Sequence, residues 1–215
     1  MSDLDFASLL CSRLCHDLVS PVGSIYNGVE LLADEDDPVM REKCMELLAD
    51  SAKQTANKLK FFRIAFGAAG GFGAQIDTRE AKSALEGLVG DRRVTVDWPL
   101  EQASLPKNAM KILLNLAMTA GDALLRGGRL HVAADQRDGT IELAVRAEGD
   151  RILLDPELKA ALEGRTAFTD LTPRASAAFL VHTLAKEAGA MLLVSEQEGA
   201  LVFGVTLPDA LAPEL

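Results

Sequence analysis

The first third of the chain carries two apolar stripes of helical period. In the first, Leu4, Cys11, Leu18, Ile25 and Leu32 recur every seven residues. Ala7, Leu14, Val22 and Val29 fill the alternate positions, with a one-residue shift at Pro21. Such a stripe is the seam of a helix packed on another helix. It predicts a helix from about Asp3 to Ala33, capped by Ser2 or Asp3. Residues 34–37 make a short acidic turn. Asp37 then caps a second helix, with Pro38 at its first position, where the missing N–H is tolerated. The stripe of this helix is Cys44, Leu48, Ala52, Thr55, Leu59, Phe62 and Phe66, and Gly67 stops it. Two long helices and a tight turn make an antiparallel hairpin. Leu9, Leu10, Val19, Leu31, Leu47 and Ile64 lie off the stripes and widen the apolar face. Pairing of two hairpins into a dimeric four-helix bundle is therefore expected. The alternative is a monomer whose second domain covers the same surface.

After Phe66 the pattern changes. Gly67-Ala-Ala-Gly-Gly-Phe-Gly73 reads as a hinge. Residues 1–67 then form a helical-hairpin domain, 68–74 a glycine-rich linker and 75–215 a second domain. Thr78 to Val89 predicts a helix capped by Thr78, and Arg93 to Asp97 alternates as a strand. Pro106 to Leu125 is a strongly apolar helix ended by Gly127-Gly128. Arg129–Ala134 and Thr140–Ala147 form a strand pair turned by Asp138-Gly139. Helices over 155–163 and 173–188 follow, then a hairpin of Met191–Ser195 with Leu201–Leu207. The sum is an α+β sandwich with helices on one face of a mixed sheet.

With Cys11 at heptad position a, His16 falls at position f, away from the seam. A surface histidine on a helix is usually inert. Pro21 changes the reading, because proline inside a helix removes a backbone hydrogen bond, kinks the axis and costs about 3 kcal/mol. A helix that carries this cost just beyond an exposed histidine is shaped around it. The run His16-Asp17-Leu18-Val19-Ser20-Pro21, followed by Ile25, Val29, Leu31 and Leu32, resembles the phosphoacceptor helix of two-component sensor kinases. The chemistry agrees. A neutral imidazole is a competent nucleophile at neutral pH, and phosphoryl transfer asks mainly for positioning. Asp17 can accept a hydrogen bond from the ring and fix its tautomer. Ser20, one turn beyond His16, is expected beside the reacting phosphate.

The second domain is similar to the ATP-binding domain of sensor kinases, the fold shared with gyrase. Residues 111–123 look like its first nucleotide box, 127–130 like the turn into its next strand, and 187–192 like its last helix running into a strand. The nucleotide chemistry does not survive the comparison. The family's Mg²⁺-holding asparagine is matched by Thr119, and its adenine-binding aspartate by Ala147. The glycine that closes the next turn is matched by Arg151, and the last glycine box by Ala175-Ser-Ala-Ala178. Backbone that approaches a polyphosphate closely needs glycine there. A degenerate histidine-kinase-type ATPase domain that binds no ATP is therefore expected.

A phosphoacceptor helix joined to such a domain resembles the ChpT-like histidine phosphotransferases of alphaproteobacteria. The resemblance implies a homodimer that takes a phosphoryl group on His16 and passes it between receiver-domain aspartates. It implies as partners the receiver domains of a hybrid sensor kinase and of response regulators, which bring their own Mg²⁺, so that the chain needs no cofactor or metal itself. Two other readings stand beside it: a non-catalytic scaffold or inhibitor that binds a receiver, and a divergent ATP-dependent histidine kinase.

Charge and composition narrow the partners. A net charge of −10 argues against sequence-independent nucleic-acid binding and against an anionic membrane surface. No apolar run spans a bilayer, and Asp3 and Asp5 stand where a secretory signal would be basic. With three cysteines on predicted helices, a reducing, cytoplasmic setting is expected. Cys11, Cys15 and His16 do not make a zinc site, since Cys11 belongs to the seam and His16 points away. His131 and His182 lack acidic neighbours in sequence and read as structural, and Trp98 as a packing residue at a strand end. Arg165 and Arg174 flank the lost glycine box and face either solvent or an acidic receiver.

Overall fold

The computed structural model describes residues 3–67, 75–90 and 93–209. The linker 68–74 and the Ser2 cap lie outside the described residues. Two helices open the chain, α1 (Asp3–Asp34) and α2 (Pro38–Ala65), packed as an antiparallel hairpin. Asp37 caps α2, its carboxylate accepting from the Val39 N–H at 2.8 Å. Arg41 reaches back and donates to the carbonyls of Leu32 and Glu35 at 3.0 and 2.6 Å. One of the orphan carbonyls at the end of α1, that of Leu32, is thereby satisfied.

The inner seam of the hairpin differs from the apolar stripe. On α1 the inward positions are Leu14, Leu18, Pro21, Ile25, Gly28 and Leu32; on α2 they include Cys44, Leu48, Ser51, Thr55 and Phe62. Pro21 and Gly28 occupy places the stripe assigned to Val22 and Val29, and Ser51 displaces Ala52. Leu4, Ala7, Cys11, Val22, Val29, Ala52 and Leu59 are exposed instead. Close approach is the reason: a Cβ on Gly28 would lie 2.9 Å from Leu48 Cδ2, so the seam selects small residues there. Hydrophobicity alone does not show this.

The last turns of α2 leave the hairpin for a second core. Phe61, Phe62, Ile64 and Ala65 are buried against α3 (Thr78–Val89) and α4 (Lys107–Ala123). Asp77, rather than Thr78, caps α3, accepting from the Arg79 and Glu80 N–H groups at 2.7 and 3.0 Å. Thr78 turns its hydroxyl to the Gln102 carbonyl at 2.6 Å. Two three-residue strands, β1 (Gln75–Asp77) and β3 (Ser104–Pro106), pair antiparallel with Ile76 opposite Leu105. They are too short for an alternating pattern to reveal.

The main sheet is mixed. β2 (Val94–Asp97) runs parallel to β4 (Gly128–Arg137), which pairs antiparallel with β5 (Thr140–Glu148). The antiparallel hairpin of β6 (Leu192–Gln197) and β7 (Ala200–Pro208) completes the sheet, with β7 against β5, in the order β2-β4-β5-β7-β6. Asp138 and Gly139 take φ 50° and 76°, the two left-handed positions of a tight hairpin turn. On β5, Ile141, Leu143, Val145 and Ala147 face the core, while Glu142, Ala144 and Arg146 face solvent. α4 lies across the inner face and is buried nearly all round, in keeping with apolar residues on every side of it. α6 (Ser176–Glu187) packs on α4, and α5 (Pro156–Leu162) on α6. The N-terminal part of α1 also touches α6, where the Phe6 ring meets that of Phe179 at 5.6 Å. No helix among the described residues is long and apolar enough to cross a membrane.

Candidate functional site

His16 stands in the middle of α1 with its side chain 85% exposed. Cys11, the reference for its outward placement, is itself exposed. His16 faces water nonetheless, because the true seam of Leu14, Leu18 and Pro21 lies on the opposite side of the helix. Its Nδ1 is 3.2 Å from Asp17 Oδ1. With the proton on Nδ1, the ring donates to that carboxylate and Nε2 keeps its lone pair. Ser20 is exposed one turn further on.

Asp17 is held from three sides. Its second carboxylate oxygen accepts from Arg13 Nε at 2.6 Å, and Arg13 Nη1 donates to the Arg174 carbonyl at 2.7 Å. The Asp17 carbonyl accepts from Lys58 Nζ at 2.7 Å. This contact follows from Pro21. In a helix, the N–H of residue 21 bonds the carbonyl of residue 17, and proline has no N–H. The carbonyl thus left open, next to the phosphoacceptor candidate, is filled by an ammonium from α2. Arg13 and Lys58 escaped the reading of the sequence. The i, i+4 spacing of Arg13 and Asp17 was a signal for the first. A lysine in register with Cys44, Ser51, Thr55 and Phe62 on the inner face of α2 was a signal for the second.

The positions matched to nucleotide-binding residues do other work. Thr119 is buried and its hydroxyl donates to the Asn115 carbonyl at 2.9 Å. Ala147 is buried under the sheet, and Arg151 is exposed. Ala175, Ser176, Ala177 and Ala178 are all buried, and α6 begins with no side-chain cap. A pocket beside Thr119 holds about 130 Å³, against roughly 300–1,000 Å³ for small-molecule sites. Arg174 and Asp155 in its wall form an ion pair at 3.0 Å.

Residues 78–200 match the family model of the histidine phosphotransferase C-terminal domain. Protein phosphotransferase ChpT of Brucella abortus (strain 2308) is 34% identical over 207 residues, which cover 94% of this chain and 96% of that protein. This chain belongs to the histidine phosphotransferase family. A bacterial phosphotransferase solved at 1.7 Å matches its fold with a TM-score of 0.85 at 32% identity, over 95% of this chain and 97% of that one. The α+β architecture of helical hairpin and mixed sheet is thus that of a histidine phosphotransferase.

The other candidate residues of this phosphotransferase have partners within the same chain. His131 does have acidic partners, brought by strands distant in sequence: Nδ1 lies 2.8 Å from Asp97 Oδ2, and Nε2 lies 3.4 Å from Glu148 Oε2. The Arg146 guanidinium beside Glu148 holds that carboxyl below its ordinary range. His182 packs between α5 and α6, with Nδ1 3.2 Å from the Leu162 carbonyl. Trp98 is buried in the core. Arg165 pairs with Glu163 and Arg174 with Asp155, so neither is a free cation on the surface.

Proposed function

We propose that this histidine phosphotransferase relays a phosphoryl group between receiver-domain aspartates, with His16 as its carrier. One observation carries the reading: a solvent-facing imidazole whose Nδ1 lies 3.2 Å from a carboxylate that is itself held by Arg13. His16 Nε2 attacks the phosphorus of an aspartyl phosphate in line. The N–P bond forms as the P–O bond to the receiver's aspartate breaks, and that aspartate leaves as a carboxylate. The Nδ1 proton stays on the ring, where Asp17 stabilises the positive charge that develops. The reverse step passes the group to the next receiver. Ser20 sits beside the transferred phosphate, and Mg²⁺ is supplied by the receiver. Donor and acceptor are receiver domains of a hybrid sensor kinase and of response regulators, which meet a homodimer in the cytoplasm. The chain needs no ATP, a reading supported by the small size of the pocket at Thr119 and the alanine-packed start of α6.

Incubation of the full chain with a phosphorylated receiver domain, followed by mapping of the label, tests this. The label should appear on His16 of the parent protein, and His16→Ala should accept none while melting within a few degrees of the parent, since an exposed side chain contributes about 0.5 kcal/mol or less. Receiver binding without transfer would make the chain a scaffold. Label on His16 from ATP alone would make it a kinase.

A further inference from the structure

Arg13 joins the phosphoacceptor helix to the second domain. Its Nε donates to Asp17 Oδ2 and its Nη1 to the carbonyl of Arg174, 161 residues away. Arg174 precedes Ala175, which stands at the uncapped start of α6 and begins the stretch matched to the lost glycine box. Its side chain turns elsewhere, to Asp155. An exposed i, i+4 Arg–Asp pair is ordinary and contributes little. Two features separate this one. Its side chains are only 14% and 19% exposed, and the same guanidinium is anchored on another domain. A guanidinium is a rigid planar fork, so two acceptors on two elements fix its orientation. The oxygens of Asp17 are then divided, Oδ2 to Arg13 and Oδ1 to His16 Nδ1.

We propose that Arg13 is a positioning residue for phosphoryl transfer, locking Asp17 against the segment before α6 so that the second domain sets the orientation and tautomer of the His16 ring. This rests on the reading of His16 as the phosphoacceptor. Without Arg13 the carboxylate is free to rotate, and Nδ1–H loses its fixed acceptor. The proton then redistributes to Nε2, the atom that must attack. A domain that has given up nucleotide chemistry thereby keeps a part in catalysis through one backbone carbonyl.

Arg13→Gln and Arg13→Lys in the full chain test the proposal by two measurements. NMR shifts of the His16 ring nitrogens in the free protein report which nitrogen holds the proton. Rapid-quench transfer from a phosphorylated receiver domain gives the maximal rate and the half-saturating receiver concentration. Arg13→Gln should move the proton population from Nδ1 towards Nε2 and lower the maximal rate about tenfold, the scale of one charge-assisted hydrogen bond. The half-saturating concentration should stay within twofold. Arg13→Lys keeps a charge at Asp17 but not the fork, and should restore part of both effects. Parental nitrogen shifts in Arg13→Gln, or a maximal rate within twofold of the parent, overturns the proposal. So does a loss confined to the half-saturating concentration, which would make Arg13 a docking residue. Where Arg13→Gln does not fold, Arg13→Lys decides by the nitrogen shifts: any movement of the proton from Nδ1 towards Nε2 supports the proposal and parental shifts overturn it. A parent chain that accepts no phosphoryl group defeats the reading of His16, while the nitrogen shifts still decide whether Arg13 fixes the ring.

Discussion

His16 and Asp17 are neighbours in sequence but occupy different environments: the ring is 85% exposed, the carboxylate 19%. The difference makes Asp17→Asn a sharp test. Arg13 is a donor only, so it captures the amide oxygen of Asn and leaves the NH₂ facing the ring. Nδ1 then becomes the acceptor, and the proton moves to Nε2. A buried tautomer-fixing carboxylate in a hydrolase triad is worth roughly 10⁴ in rate. This site is wetter, so the expected loss is about 10- to 100-fold, or about 1.4 to 2.7 kcal/mol. Rapid-quench transfer reads it, and a rate within twofold of the parent removes Asp17 from the mechanism. Thr119 carries a second prediction at this scale. Its hydroxyl is committed to the Asn115 carbonyl, so titration of the chain with ATP–Mg²⁺ should give no heat of binding. A micromolar dissociation constant would sink the claim. His16 was legible in the sequence because Pro21 and Asp17 are local signals. The hold of Arg13 on Asp17 was legible only in half, because its anchor at Arg174 belongs to another domain.

Within α1, Pro21 and the lysine that answers it form one unit. Pro21 removes the donor for the Asp17 carbonyl and Lys58 replaces it. Lys58→Met keeps the apolar stem but leaves that carbonyl unpaired, which costs about 1 to 2 kcal/mol. In a Pro21→Ala background the new backbone N–H takes the carbonyl back, so the same Lys58→Met change should then cost less than about 0.5 kcal/mol. Urea melts of the four proteins give the coupling energy. Equal costs in both backgrounds would show that Lys58 does not serve the kink. The helices themselves were legible, down to the Asp37 cap, although α3 is capped by Asp77 rather than Thr78. Their inner faces were not: Gly28, Pro21 and Ser51 carry no hydrophobic signal, and only the fit of one helix against the other assigns them to the seam.

For the whole molecule, the uncovered apolar surface matters most. Val22, Tyr26 and Val29 are 49%, 63% and 56% exposed, in line with the exposed Cys11 and Cys15. Spaced by threes, fours and seven, they form a second stripe on α1, apart from both the inner seam and His16. Part of the face predicted to drive dimerisation is covered by the second domain, which takes Ile64 completely and Leu9 in part. Val19, Leu31 and Leu47 of that face stay exposed, and together with the Val22, Tyr26 and Val29 stripe they are what a second copy would cover. Light scattering of the full chain should give about twice the 22.9 kDa of one chain. Val22→Glu with Tyr26→Glu should return the single-chain mass and leave His16 competent to accept a phosphoryl group. A parent that stays at 22.9 kDa at micromolar concentration rules this dimer out.

The sequence alone determined the features that depend on near neighbours. Turns, many caps and the period of an apolar run are set by hydrogen-bond geometry and side-chain direction over a few residues, so the outward place of His16 near Pro21, the helical hairpin and the strand pairs β4–β5 and β6–β7 could be read from it. Tertiary structure decided what depends on size and distance. Val29 lost the inner seam to Gly28, where the Leu48 side chain fills the space a Cβ would need, and Val22 lost it to the buried Pro21. His131 gained Asp97 and Glu148 only when β2, β4 and β5 lay side by side. The grip on Asp17 required Arg13, Lys58 and the Arg174 carbonyl to converge from three segments, and no local pattern encodes a meeting across 161 residues.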